Sequence, residues 1–554
     1  MPLMTGSRFF AEAMQAYGMT HVFLVPTILT SALAEMEGMN IVRITTHSEK
    51  AAVYMADGYA RVAHRPGICM AQTIGASNLA AALRDPFLAC SPVIAITGGR
   101  FPETKYRHVY QEIEDYSLFQ PVSKFNAQID LVERLPDLLR QAFRAATTGC
   151  PAPVHLEIAG NFGQAIEGQS DLEPIFEKQF SQYPAIRPRP EMDDVRKVAG
   201  LLSVSQKPVI IAGGGVVLSR AQPEVRRLAE MLSIPVGTSL NAKGTIPENH
   251  ILSIGVVGSY SRACANRLVA EADLVFFIGS RTGGQVTNGW RIPRRGTPVI
   301  QLDIEPSELG RNYPNLHSLW GDAKVTLEEL IGVLKYRPPN RRWLQRVEQI
   351  VGEWKSDLEP LRDSQAVPLR PERICKEIEA VLPSDAILVS DTGHSGIWSG
   401  THIELNHSSQ TYIRAAGSLG WALPAAVGAK CAAPDRPVVC FTGDGGFYYH
   451  MAELETALRY GIHLVIVVNN NRSLNQETEI FSSAYGGEQH YGLEMWQFQD
   501  LNIAKMAEAL GCLGFRVEQP EEIGPALGRA LNSDRPVVLD IVSDLKVLAP
   551  DPWG

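Results

Sequence analysis

Residues able to hold a cation sit at the ends of two apolar runs in the last quarter of the chain. The segment "GDGGFYYHMAELETALRYGIHLVIVVNNN" (443–471) begins where the run "RPVVCFT" stops. It opens on Gly443-Asp444-Gly445-Gly446 and ends on Asn469-Asn470-Asn471. Two parallel strands joined by a right-handed crossover bring both C-terminal ends to one edge of a sheet. Asp444 and Asn471, 471 − 444 = 27 positions apart, then converge. A carboxylate oxygen and an amide oxygen are hard ligands suited to magnesium, which keeps phosphate oxygens and water beside few protein ligands. Gly445 and Gly446, at a helix start, offer backbone N–H groups to an anion such as a diphosphate. Either half alone is an ordinary turn or strand cap; together they describe a metal–diphosphate site.

A second informative stretch is "THSEKAAVYMADGYAR" (46–61), where one acid, Glu49, stands between the apolar run "NIVRIT" and a helical pattern. Ser48 suits an N-cap, and Glu49 in the first turn offsets the helix dipole.

The elements that must position these groups alternate along the whole chain. β-branched runs separated by helical patterns describe a parallel α/β architecture. Strands are expected at 21–26, 41–45, 67–73, 92–98 and 153–158, then at 207–217, 234–239, 272–280 and 297–306. A last set falls at 386–393, 436–446, 463–471 and 535–544. Irregular stretches near 165–190 and 336–343 read as linkers. Three doubly wound parallel-sheet domains follow, over 1–165, 190–340 and 366–554.

Composition narrows the classes. The chain has 554 residues, 45% apolar and 20% charged, with a formal net charge of −9 and no basic stripe. Nucleic acid and anionic membranes are therefore excluded as partners. Eight cysteines without a C-x-x-C pair argue against zinc and against a disulfide scaffold. "MPLMTGSRFFAEAMQAYG" reads as an amphipathic helix capped at Thr5 or Ser7 and not as a signal peptide. No run of eighteen apolar residues offers a membrane span, and a cytoplasmic protein is expected.

At this point the chain resembles the thiamine-diphosphate enzymes of the acetolactate synthase/2-oxo-acid decarboxylase superfamily. The pair "GDG" (443–445) and "NN" (470–471) is similar to their diphosphate–magnesium motif. "HSEKAAVYMADGYAR", "SPVIAITG", "GSLGWALPAAVGA" (417–429) and "VIQLDIEPSELGRN" (299–312) resemble other family segments, so the likeness covers essentially the whole chain. It implies Asp444, Asn471 and the backbone carbonyl of Ser473 as magnesium ligands, with Gly443, Gly445 and Gly446 beside the diphosphate. It implies that Glu49 hydrogen-bonds N1′ of the cofactor's aminopyrimidine and so promotes loss of the thiazolium C2 proton. Gly417 resembles the residue whose carbonyl holds the 4′-nitrogen, and Leu419 the bulky residue beneath the bent cofactor. His394 and Ser395, in "DTGHSGIW", are candidate phosphate donors, and Gln111, in "YQE", matches a residue facing the reacting centre. The family further implies a homodimer or dimer of dimers, with each active site shared between two chains.

Departures from the family patterns bear on the reaction. "TIGASN" (73–78) replaces G-P-G-A-T-N, and "VPTILT" (25–30) replaces Y-P-G-G. "RSLNQETEIF" places Gln476 and Glu477 where the synthases carry apolar residues. The segment 472–500 is expected to cover the cofactor face, with Glu477 as a general acid and a neutral carbonyl or a proton as acceptor. "AGGG" (212–215), "GSR" (279–281) and "LDI" (302–304) resemble flavin-binding positions, but "TGGQVT" lacks the acid and arginine of F-D-D-R-V-T. FAD or an adenine nucleotide in the central domain is one expectation. Decarboxylation or carboligation of 2-oxo acids leads the alternatives. A 2-hydroxyacyl-CoA lyase or oxalyl-CoA decarboxylase and a catalytically silent cofactor-binding relative complete them.

Overall fold

The computed structural model describes residues 3–336, 338–487 and 492–553. Three six-stranded parallel sheets form in sequence order. The first runs Val42–Thr45, His21–Val25, Gly67–Ala71, Val93–Gly98, Val154–Ile158, Phe125–Ile129 across its width. The third runs Thr411–Arg414, Ile387–Ser390, Val438–Gly443, Val465–Asn470, Val537–Val542, Leu513–Val517. Numbered within each domain, both orders are 2-1-3-4-6-5. The central sheet, Ser253–Val256, Val236–Thr238, Pro208–Ala212, Leu274–Ile278, Val299–Asp303, His317–Trp320, is 3-2-1-4-5-6.

The expected strands form, trimmed by a residue or more at their ends. In "KPVIIAGGGVV" the strand stops at Ala212, and Gly214–Ser219 turns into a helix. Five strands carry weaker signals: Phe125–Ile129, Ser253–Val256, His317–Trp320, Thr411–Arg414 and Leu513–Val517. Each lies at an edge of its sheet, where one side stays unpaired and an unbroken apolar run is not needed. The stretch near 165–190 contains Gln169–Asp171, which pairs antiparallel with Leu3–Thr5. Thr5 caps helix Gly6–Ala16 by accepting from Arg8 N–H at 3.1 Å. No helix among the described residues is long and apolar enough to cross a membrane.

The first and third domains meet through the helices that follow their second strands, Glu49–Ala63 and Ala422–Ala432. Gly58 lies on the backbone of Ala425, and Gly428 on that of Met55. A Cβ at Gly58 would fall 2.0 Å from the Ala425 oxygen, and one at Gly428 would fall 1.9 Å from the Met55 oxygen. Because 58 pairs with 425 and 55 with 428, the two helices run antiparallel. One apolar core, from Phe23 and Val53 to Ala426 and Ile466, continues through them from sheet to sheet. A charged clamp closes one end. Arg61 donates to both oxygens of buried Asp57 at 2.8 and 2.6 Å and to the Arg414 carbonyl at 2.6 Å. Its guanidinium lies 4.6 Å from the Trp421 ring, whose Nε1 donates to Asp57 at 2.9 Å.

Gly428→Ala must separate the two helices and is expected to cost about 1–3 kcal/mol, an overpacking effect. Gly200→Ala, in an exposed helical position with open space at its Cβ, is expected to gain about 0.5–1 kcal/mol. Thermal melting of the two variants should therefore shift in opposite directions; equal shifts would show that the close approach is not a constraint.

Candidate functional site

The C-terminal edge of the third sheet holds a cavity of about 330 Å³, lined chiefly by residues from four segments. Gly443-Asp444-Gly445-Gly446 leave strand Val438–Gly443, and Asn469, Asn471 and Ser473 leave strand Val465–Asn470. Thr392, Gly393, His394 and Ser395 follow strand Ile387–Ser390, and Gly417 and Leu419 follow strand Thr411–Arg414. Gln476 and Glu477 complete the lining, with Tyr260 reaching in from the central domain. The sequence-predicted groups of the third domain thus gather around one opening.

Asp444 and Asn471 are bridged by one residue. Ser473 N–H lies 3.1 Å from Asp444 Oδ2 and 3.2 Å from Asn471 Oδ1, and its hydroxyl donates to Asn471 Oδ1 at 3.0 Å. All three are buried. Burial pushes the Asp444 carboxyl up to about 7, because a dry site penalises an anion. Two nearby buried atoms are without hydrogen-bond partners, His394 Nδ1 and Asn469 Oδ1. Desolvation holds His394 down at about 4, so its ring is neutral at pH 7. One carboxylate, two neutral oxygens and unpartnered polar atoms fit a cation carrying an anionic ligand better than they fit a closed core. Gly445 differs from expectation: its N–H is bound to Asp444 Oδ1 at 2.7 Å, so that amide orients the carboxylate.

Two aspartates hold this edge together, Asp391 at the start of "DTGHSGIW" and Asp85. Asp391, fully buried, accepts from Thr392 N–H at 2.8 Å, Gly420 N–H at 3.0 Å and Thr442 Oγ1 at 3.1 Å. Burial nevertheless raises its carboxyl to about 6. Its Oδ2 also explains Gly446, where a Cβ would lie 2.9 Å from it. Asp85, from the first domain, accepts from the N–H groups of Ala416, Gly417 and Ser418 at 2.9, 3.1 and 2.9 Å. The Gly417 loop is therefore shaped by a neighbouring domain, which no local pattern announces.

Glu49 stands elsewhere. Ser48 caps its helix by accepting from Lys50 N–H at 3.2 Å, and Asn78 Nδ2 donates to Glu49 Oε2 at 3.0 Å. A Cβ at Gly75 would lie 2.7 Å from Glu49 Oε1. The altered loop "TIGASN" thus keeps the glycine that admits the carboxylate and the asparagine that holds it. Gln111 lies on the same sheet edge, its Oε1 accepting from Asn161 Nδ2 at 3.1 Å beside a second cavity lined by Thr73, Arg100, Tyr110 and Asn161. Within one chain Glu49 and the Asp444 cavity are not brought together. Trp421, two residues past the cavity-lining Leu419, contacts Asp57, and 57 − 49 = 8 residues separate that level from Glu49, or about 12 Å of helix. Glu49 does not line the Asp444 cavity; its neighbour His47 instead bonds Glu453 and Glu455 at 3.0 and 2.7 Å.

Segment 472–500 folds back on itself. Leu474 N–H bonds the Trp496 carbonyl at 2.8 Å, and Phe498 N–H bonds that of Arg472 at 2.7 Å. Gln476 Nε2 donates to Tyr260 Oη at 3.3 Å. Residues 488–491 of this segment lie outside the described residues. In the central domain a larger cavity, about 390 Å³, is bounded by Gly213–Gly215, Ser239–Asn241 and Gly279–Val286.

Comparison with known proteins agrees with this geometry. Residues 4–118 match the thiamine pyrophosphate enzyme N-terminal TPP binding domain, 195–330 its central domain and 391–541 its C-terminal TPP binding domain. The chain is 33% identical to the probable acetolactate synthase large subunit of Methanocaldococcus jannaschii, over 98% of this chain and 92% of that protein. It is 28% identical to the putative thiamine pyrophosphate-containing protein YdaP of Bacillus subtilis, over 97% and 91%. To the acetolactate synthase of Mycobacterium avium it is also 28% identical, over 97% and 87%. Three domain matches in order, with the sheet edges that each would use, establish that this chain belongs to the thiamine pyrophosphate enzyme family.

Proposed function

We propose that the chain is a thiamine-diphosphate- and magnesium-dependent enzyme that breaks and forms C–C bonds on 2-oxo acids, as an acetolactate-synthase-like decarboxylase or carboligase. The observation that carries this reading is the convergence of Asp444, Asn471 and Ser473 beside unpartnered His394. Asp444, Asn471 Oδ1 and the Ser473 carbonyl would hold the cation, with His394, Ser395, Gly443, Gly445 and Gly446 around the diphosphate. Gly417 and Leu419 would meet the pyrimidine and the bend of the cofactor. Bound thiamine diphosphate supplies the carbanion equivalent and the electron sink for decarboxylation. Glu49, held by Asn78, would exchange a proton with the aminopyrimidine, and Gln111 would face the reacting carbon. Names of relatives that are acetolactate synthases favour 2-oxo acids over hydroxyacyl thioesters as donors.

Asp444→Ala is expected to abolish the calorimetric signal for magnesium–thiamine diphosphate binding. Glu49→Gln should keep that signal and lose activity by about 10²-fold or more, the scale of proton-transfer catalysis. Full activity in Glu49→Gln would leave Glu49 with capping alone.

The separation of Glu49 from Asp444 along one chain supports an active homodimer or dimer of dimers, with each site built from two copies. Mixing unfolded Glu49→Gln and Asp444→Ala chains and refolding them together should then restore about a quarter of wild-type activity. Half of randomly paired dimers are mixed, and each of these has one intact site. Activity no greater than that of the separate variants would refute the shared site.

Glu477, at the mouth of the cavity beside Gln476, supports a neutral acceptor, because a carboxylate there repels a second anionic substrate. Product analysis with pyruvate alone and with pyruvate plus an aldehyde tests this. Acetolactate from both, unaltered by Glu477→Gln, would return the chain to ordinary acetolactate synthesis. We also propose that the central cavity takes FAD or an adenine nucleotide. Protein purified after saturation should carry flavin absorbance or release an adenine nucleotide on heating, and neither would overturn that assignment.

A further inference from the structure

Away from the cofactor cavity, two thiols meet a cation at the boundary between the first and central domains. Cys90 follows helix Ala76–Leu88, and Cys150 precedes strand Val154–Ile158. Arg281, just past strand Leu274–Ile278 of the central domain, donates Nη2 to Cys150 Sγ at 3.5 Å. Cys90 and Cys150 line the same pocket, and each bears on the other's titration. Both are half-buried and line one pocket with Gly279, Arg281 and Asp303, so a small reagent has access. The arrangement sets Cys150 apart from the other thiols. Cys90 beside it, and then Arg281, hold its thiol below the ordinary cysteine range. Desolvation instead pushes Cys264 and Cys512 up to about 11 and Cys431 to about 12. Five of the eight cysteines are buried outright.

A thiolate beside a guanidinium, exposed to a pocket and next to a second thiol, has the parts of a peroxide-reactive pair. We propose that Cys150 is a thiol-oxidation site for hydroperoxides and that Cys90 resolves the product into a disulfide. In the first step the Cys150 thiolate attacks a peroxide oxygen. The S–O bond forms, the O–O bond breaks, and the hydroxide released takes up a proton to become water. In the second step the Cys90 sulfur, giving up its proton, attacks the Cys150 sulfur. The S–S bond forms, the S–O bond breaks, and a second water leaves. Two thiols are oxidised and one hydrogen peroxide is reduced to two waters. The disulfide removes one of two anionic partners of Arg281, leaving Glu308 at 3.9 Å, and Arg281 also borders the larger central cavity with Gly213–Gly215. Oxidation at the domain boundary is thereby linked to the charge of that cavity.

The test uses the reduced full-length protein at pH 7, titrated with hydrogen peroxide and mapped by mass spectrometry without reductant. A linked pair of peptides containing Cys90 and Cys150, two hydrogens lighter than the separate peptides, is the expected result. Cys90→Ser should instead accumulate a sulfenic acid on Cys150 that dimedone traps. In the wild-type protein, iodoacetamide should label Cys150 at least about tenfold faster than Cys431, whose thiol burial keeps almost wholly protonated at pH 7. Arg281→Gln should slow that labelling several-fold. Absence of the linked peptide, or labelling of Cys431 as fast as Cys150, would overturn the proposal. The wild-type measurements stand even if a variant fails to fold.

Discussion

The contact between helices Glu49–Ala63 and Ala422–Ala432 is the constraint on which the other arrangements rest. Two backbones approach within reach of a carbonyl only where the facing residue lacks a Cβ, and Gly58 and Gly428 supply that on opposite helices. Helices normally pack at 8–10 Å with side chains interdigitating, so this closeness is bought with glycine in helix interiors. Alanine-rich faces fill the remaining interface and join the cores of two domains. The segment "DGYAR" is therefore a piece of interface in which Asp57, Gly58 and Arg61 each contact the third domain. Asp57 is fully buried and its carboxyl is raised by desolvation, opposed chiefly by Arg61. Removing one partner of such a pair leaves an uncompensated charge, which is why buried pairs are costly to break even when they add little net stability.

From that antiparallel contact follows the placement of the reactive groups. The first and third sheets share one strand order, and the packed helices occupy equivalent places in it. Each domain then directs the loop before its helix toward an opposite end of the pair. Glu49 comes to one end, and Gly417 and Leu419 to the other. The third domain's loop is finished by Asp85 of the first, whose carboxylate gathers three consecutive N–H groups. The first domain thus contributes to its own chain's cavity by shaping backbone, while its Glu49 carboxylate, held by Asn78, does not line that cavity.

The sequence made the strand-end chemistry legible because it is local. Asp444 and Asn471 lie within one strand–helix–strand unit, so spacing alone predicts that they converge. Glu49 was legible for a similar reason, at a strand–helix junction with its cap beside it. Interior strands were clear because burial on both faces demands continuous apolar runs; edge strands such as Thr411–Arg414 relax that demand and were missed. The roles of Asp391, Asp85 and Tyr260 were missed for a different reason. They come from contacts with residues distant along the chain: Asp85 lies 331 positions from Ala416 and Tyr260 lies 216 from Gln476. Periodicity and spacing carry no information about such pairs. At Gly445 an equally local contact competes with the expected one, because the side chain of the preceding Asp444 takes its N–H.

Tyr260 also bears on why "RSLNQETEIF" departs from the synthases' pattern. Gln476 meets two neighbours, donating to Tyr260 and lying where a Cβ on Gly393 would be 3.0 Å from its Oε1. An apolar residue at 476 would leave the Tyr260 hydroxyl without this partner at the cavity wall. A polar residue at 476 and a tyrosine at 260 therefore satisfy each other across the boundary between the central and third domains. Glu477 follows in a short helical turn whose N–H is taken by the Leu474 carbonyl at 2.9 Å, leaving its carboxylate on the cavity side. The turn that makes the Gln476–Tyr260 contact thus also sets the position of the acid. Polarity at the two positions is one structural feature, and this wall of the cavity depends on the central domain as well as on the third sheet.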